Sequence, residues 1–172
     1  MDLASTIRSV PDFPVEGILF YDITTMLKNP AALKYSIDQL ADHYKNSNIN
    51  VVAGMESRGF IFGVPLAYQL GTGFVPIRKP GKLPADCISE SYELEYGTNT
   101  LEIHTDAIEK GQKVLIVDDL LATGGTAKAT CNLVERLGGE VVGIAFIIEL
   151  TFLNGREQLR GYDAFSMLKY DK

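Results

Sequence analysis

The sequence predicts an α/β fold, a central and mostly parallel sheet flanked by helices, built as a single domain over residues 1–172. Short apolar, β-branched runs alternate along the chain with segments of helical periodicity, which is the pattern of parallel strands joined by crossover helices. The runs are almost continuously hydrophobic, as strands covered on both faces must be. A chain of 172 residues, 46% of them hydrophobic, is also long enough to bury about 70% of its unfolded surface around one core without staples.

In chain order, the first helix follows Asn29 as N-cap and Pro30 at the first helical position, with Leu33, Ile37, Leu40, Ala41 and Tyr44 recurring at helical spacing. NVVAG, from Asn50, is the first strand of the sheet. The stretch FIFGVPLAYQLG, from Phe60, is helical in pattern, but Pro65 would break an interior turn and is expected to mark a late helix start. GFVPI from Gly73, VLIV from Val114 and VVGIAFII from Val141 are further strands. Between the last two, Ala127, Cys131, Val134 and Leu137 define one side of a helix from about Thr126 to Leu137, stopped by Gly138 and Gly139. SYELEYGTNTLEIH, from Ser91, alternates on both sides of a Gly-Thr-Asn turn signal and predicts a hairpin that projects from the sheet.

The formal net charge of −6 disfavours a surface that grips nucleic acid through its phosphates. The N-terminal MDLASTIRSVPDFP lacks the apolar stretch of a signal peptide, and the longest apolar run is too short to span a bilayer. Cys87 and Cys131 lie far apart in no metal or redox spacing, so reduced thiols in a cytoplasmic protein are expected, with Cys131 in the core.

In an open parallel sheet, ligands gather where strands end and loops begin, and three strand ends carry unusual residues. After VLIV come Asp118 and Asp119, then Ala122, Thr123, Gly124, Gly125 and Thr126 leading into a helix. Free N–H groups and the macrodipole at that helix start favour a phosphate. Carboxylates only accept hydrogen bonds, so the natural partners of the Asp pair are hydroxyls; a solvated or helix-capping turn is the plainer alternative. A molecule with a phosphate at one end and a vicinal diol at the other, such as ribose 5-phosphate, would satisfy both features. Arg58, in MESRG, and Arg78, Lys79 and Lys82, in RKPGK, bring four cations to neighbouring strand ends, which suits a second, more highly charged anion such as pyrophosphate. A ribose 5-phosphate carrying pyrophosphate is an activated sugar donor, and the inferred chemistry is substitution at its anomeric carbon.

VLIVDDLLATGGT resembles the donor-binding signature of the type I phosphoribosyltransferases. PDFPVEGILFYDIT, ESRGFIFG, VPIRKPGKLP and YELEYG, in that order, extend the resemblance along nearly the whole chain, toward the members that use adenine. The resemblance implies the type I fold, with an N-terminal hood over about residues 1–30 and a flexible hairpin flap over about residues 80–104. It implies transfer of a phosphoribosyl group from phosphoribosyl pyrophosphate to adenine, giving AMP and pyrophosphate. It gives Asp118 and Asp119 to the ribose hydroxyls, residues 122–126 to the 5-phosphate, and Arg58, Arg78, Lys79 and Lys82 to the pyrophosphate. Mg2+ would travel with the donor, held largely by its oxygens and water, and no protein side chain is assigned to it. Glu95, in LEY, would be the general acid or base toward the purine, because Ala122 stands where relatives that use 6-oxopurines carry an Asp. Leu19, Phe20 and Tyr21 would form the adenine pocket, although many relatives have Arg or Lys in place of Tyr21 and Arg in place of Ala85. A homodimer is implied as well. Two alternatives remain: a different purine acceptor, and a regulator that senses the donor and binds nucleic acid.

Overall fold

The structure, a computed structural model, describes residues 1–94 and 96–172. Its strands are β1 (Arg8–Pro11), β2 (Leu19–Asp22), β3 (Val51–Met55), β4 (Gly73–Ile77), β5 (Cys87–Glu93), β6 (Thr98–His104), β7 (Lys113–Leu121), β8 (Glu140–Leu150) and β9 (Ala164–Tyr170). The α-helices are α1 (Thr24–Leu27), α2 (Pro30–Tyr44), α3 (Arg58–Leu70) and α4 (Gly125–Arg136). Five strands form one parallel sheet in the order β4-β3-β7-β8-β9, while β1-β2 and β5-β6 are separate antiparallel pairs.

Alternation along β7 divides the core. Leu115 and Val117 face α2 and α3, where Leu40, Tyr44, Phe62 and Leu66 are buried. Val114 and Ile116 face α4, where Cys131 and Leu133 are buried. The Asn29 side chain caps α2 by accepting from the N–H groups of Ala31 (3.1 Å) and Ala32 (3.2 Å), an interaction that stabilises a helix by about 1 kcal/mol. No helix among the described residues is long and apolar enough to cross a membrane.

Three expectations about local structure are revised. Pro65 does not start a helix; it lies inside α3, which begins at Arg58. The cost of an interior proline, about 3 kcal/mol, is offset by burial of Phe62, Leu66 and Ala67, and the carbonyl that loses its donor belongs to Ile61, on the exposed side of the helix. β7 runs on to Leu121, so Asp118 and Asp119 lie within the strand; the ladder continues through Asp118–Phe146 and Leu121–Glu149. Acidic residues weaken strand propensity, but pairing with a buried neighbour overrides it. The hairpin starts at Cys87 rather than Ser91 and is tied down: Arg78 and Glu102 exchange backbone hydrogen bonds of 3.0 and 2.7 Å, and Leu101 and Ile103 are buried in the core beside α4.

The chain leaves β3 through α3 toward one edge of the sheet and leaves β7 through α4 toward the other. Between these neighbouring strands the winding reverses, and a crevice opens at their carboxyl ends.

Candidate active site

Arg58 follows β3 and Asp119 lies near the end of β7. Across the crevice, Arg58 Nε donates to Asp119 Oδ2 at 2.5 Å. Gly59 permits this approach, since a Cβ there would lie 2.7 Å from the Val117 carbonyl oxygen. The backbone N–H of Asp119 donates to Asp118 Oδ1 at 2.8 Å. Burial, followed by the neighbouring Asp119 charge, pushes the Asp118 carboxyl well above its ordinary range.

Beyond the Asp pair the chain turns through Ala122 and Thr123 to Gly124, whose φ of +87° makes the entry into α4. Gly124, at the N-cap, has no side chain to cap this helix, and its first N–H groups suit an anion. A segment distant in sequence fixes the turn from behind. A Cβ on Gly155 would collide with the Ala122 carbonyl, and one on Gly124 would collide with the Gly155 carbonyl. Arg156 then anchors that segment, its Nε and NH2 donating to Glu149 Oε1 and Oε2 at 2.7 Å each, and its NH1 to the Ala164 carbonyl at 2.7 Å. The result is a cavity of about 180 Å3 lined by Asp118, Asp119 and residues 122–126.

A second cavity, of about 450 Å3, adjoins the first, and Arg58 and Asp119 line both. Its walls are mainly apolar, with the rings of Phe13 and Phe20 meeting edge to face at 5.1 Å between centroids. Phe20 thus forms part of the wall of this cavity. Tyr21 also lines the cavity, but its ring stacks on Tyr170 at 3.8 Å and its hydroxyl donates to the Lys172 carbonyl at 2.6 Å. Leu19 is on the same strand, 38% exposed, and is not among the lining residues. Asp22, at the cavity wall, is held down to about 2 by the Arg8 guanidinium and by Thr24.

The four expected cations divide. Arg58 belongs to the crevice, whereas Arg78 and Lys82 gather on Glu56, at 3.2 and 3.5 Å. The Lys79 backbone N–H also donates to Glu56 Oε2, at 3.0 Å. That bond, with the charges of Arg78 and Lys82, holds the Glu56 carboxyl below its ordinary range. The Lys79 residue lines a different surface cavity, against Tyr92 and residues 98–101 of the hairpin. Glu95 lies outside the described residues. His43 stacks on Phe165 at 3.9 Å, and His104 Nε2 accepts from the Ala85 N–H at 3.3 Å.

A family model described as a phosphoribosyl transferase domain matches residues 22–168. The adenine phosphoribosyltransferase of Solibacter usitatus is 62% identical over 171 residues, covering 99% of each chain. The chain belongs to the adenine phosphoribosyltransferase family. Solved structures of adenine phosphoribosyltransferases share the fold. The one from Thermoanaerobacter pseudethanolicus has a TM-score of 0.95 at 57% identity, covering 98% of each chain. The one from Saccharomyces cerevisiae, complexed with an imino-altritol bisphosphate and adenine, has a TM-score of 0.92 at 43% identity, covering 97% of each chain.

Several residues around these two cavities were not singled out from sequence. Glu56 stands two residues from Arg58 in MESRG, and an acid amid cations was the only hint of its role. Phe13 and Asp22 flank the GILFY stretch, and no local pattern marks them as cavity walls. Gly155, Arg156 and Glu149 approach the phosphate-type turn only through the folded sheet.

Proposed function

We propose that this protein transfers the phosphoribosyl group of phosphoribosyl pyrophosphate to adenine, releasing pyrophosphate and forming AMP. The observation that carries this reading is the continuity of the two cavities through Arg58 and Asp119. A sugar phosphate in the polar cavity has its anomeric carbon directed toward the apolar one, where a flat base is sandwiched beside Phe20 and Phe13. Asp118 and Asp119 accept from the ribose hydroxyls, and residues 122–126 donate to the 5-phosphate. The arriving hydroxyls compete with Arg58 for Asp119, and the freed guanidinium fork then suits the pyrophosphate. Arg78 and Lys82, oriented by Glu56, and Lys79 stabilise the departing pyrophosphate. Tyr21, on the cavity wall, completes the adenine pocket with its ring, and backbone groups near Leu19 read the edge of the base. Glu95 takes the proton from the adenine imidazole nitrogen as that nitrogen bonds to the anomeric carbon. Residues 1–30 serve as the hood and residues 80–104 as the flap.

The donor is read as its Mg2+ complex. Hard pyrophosphate oxygens and water satisfy such an ion. Bound there, such an ion would supply charge neutralisation to the leaving group. Small molecules rather than nucleic acid are the partners. The free thiols Cys87 and Cys131 suit a reducing compartment, and a cytoplasmic location is proposed.

A homodimer is proposed as well. Ile61, Val64 and Tyr68 form one outward stripe of α3, and they are 39, 50 and 88% exposed. Val64→Glu is expected to convert a dimer to a monomer in light scattering after size exclusion, and a monomeric wild type would refute the assembly.

The activity is tested by pyrophosphate release with donor, Mg2+ and a panel of adenine, hypoxanthine, guanine and xanthine, where only adenine should give efficient turnover. Asp118→Asn and Asp119→Asn should each weaken donor binding about 10- to 150-fold, the loss of one charge-assisted hydrogen bond. Without ligand, Asp118→Asn should have the opposite effect on stability. A carboxyl whose pKa is raised on folding favours the fold at low pH, and this contribution is lost as pH rises through the folded value. The melting temperature of Asp118→Asn relative to wild type should therefore increase from acid to neutral pH. A constant difference would remove the strain assigned to Asp118.

A further inference from the structure

From the hairpin side, Tyr92 reaches the same phosphate-type turn. Its hydroxyl is 2.8 Å from Thr126 Oγ1, and its ring covers Gly125 so closely that a Cβ there would lie 2.9 Å from the ring edge. Thr126 and Gly125 line the polar cavity, whereas Tyr92 lines a neighbouring cleft that shares Thr123 and Gly125 with it. This contact is braced. On β5, Glu90 accepts from Asn132 Nδ2 at 2.9 Å and from Arg136 NH1 at 3.0 Å, and Arg136 also donates to the Ser89 carbonyl at 2.6 Å.

A threonine hydroxyl has one proton to donate. If Tyr92 donates to Thr126 Oγ1, the Thr126 proton is left for an anion in the cavity, and each hydrogen bond in such a chain polarises the next. We infer that Tyr92 is a positioning residue for the 5-phosphate: it orients the Thr126 hydroxyl from behind and couples the hairpin to occupancy of the phosphate turn. The inference rests on the sugar-phosphate reading of that cavity. It also gives the hairpin a reason to be fixed on α4 at this point, three residues before Glu95 in the chain.

Ribose 5-phosphate, which lacks both pyrophosphate and base, isolates this contact. Calorimetric titration should show that Tyr92→Phe, which keeps the ring over Gly125, weakens its binding about two- to tenfold with an unchanged melting temperature. The same substitution in a Thr126→Ala background should have no further effect, because the two hydroxyls act as one unit. In steady state, the KM for the donor should rise while the KM for adenine stays constant. Equal binding by wild type and Tyr92→Phe, or the same loss with and without Thr126, would overturn the inference and leave the phosphate site standing. Failure of the wild type to bind ribose 5-phosphate would overturn both.

Discussion

Glu95→Gln should lower kcat about 10²- to 10⁴-fold, the range for removing a positioned proton acceptor, with little change in donor affinity. Gln preserves size and polarity but cannot accept a proton at neutral pH. The purine would then have to lose its imidazole proton to water as the glycosidic bond forms. The limb of the kcat–pH profile that reports the carboxylate should disappear with the substitution. A wild-type kcat would take Glu95 out of the mechanism and leave the donor site untouched, since the Asp pair and the phosphate turn depend on different elements.

Arg156→Ala is the second change with a large expected effect, and it acts far from the reacting atoms. Glu149 is 4% exposed, and both of its oxygens are held by Arg156, with Ser166 adding a third hydrogen bond at 2.7 Å. Removing the guanidinium leaves an unpaired buried carboxylate. The expected cost is about 3 kcal/mol, the lower end for breaking a buried pair, because Arg156 itself still reaches solvent. Burial alone would raise the Glu149 carboxyl, but the Arg156 and Ser166 bonds prevail and the net direction is down. A group whose pKa is lowered on folding contributes above its unfolded value, and the contribution is lost as pH falls through the folded one. Urea titrations should therefore show the gap between wild type and Arg156→Ala narrowing toward acid pH. Donor affinity should fall as well, since Gly155 loses its anchor behind residues 122–124. A variant as stable as wild type would contradict the role given to the pair.

Much of this was legible in the sequence because it is local. Apolar runs marked the strands, Asn29 and Pro30 marked the start of α2, and adjacent acids before a Gly-Gly turn marked the polar cavity. The length of β7 was hidden by its two aspartates, whose strand conformation is imposed by β8. Pro65 misled for a similar reason, since the burial that sustains α3 is tertiary. Tyr21 illustrates a subtler gap. Its place in the GILFY stretch was evident, whereas the use of its hydroxyl by Lys172, at the far end of the chain, depends on how β2 meets β9. The same holds for Glu56, whose three partners come from the loop after β4.

The interlock of Gly124 with Gly155 has a consequence for protein engineering. Gly124 leaves room for the Gly155 backbone and Gly155 for that of Ala122, so neither can drift to alanine. The ten-residue stretch from Val117 to Thr126 is consequently not a portable cassette. Grafted onto another parallel sheet, it should grip a sugar monoester only if the recipient also supplies a bare backbone to wedge beneath it.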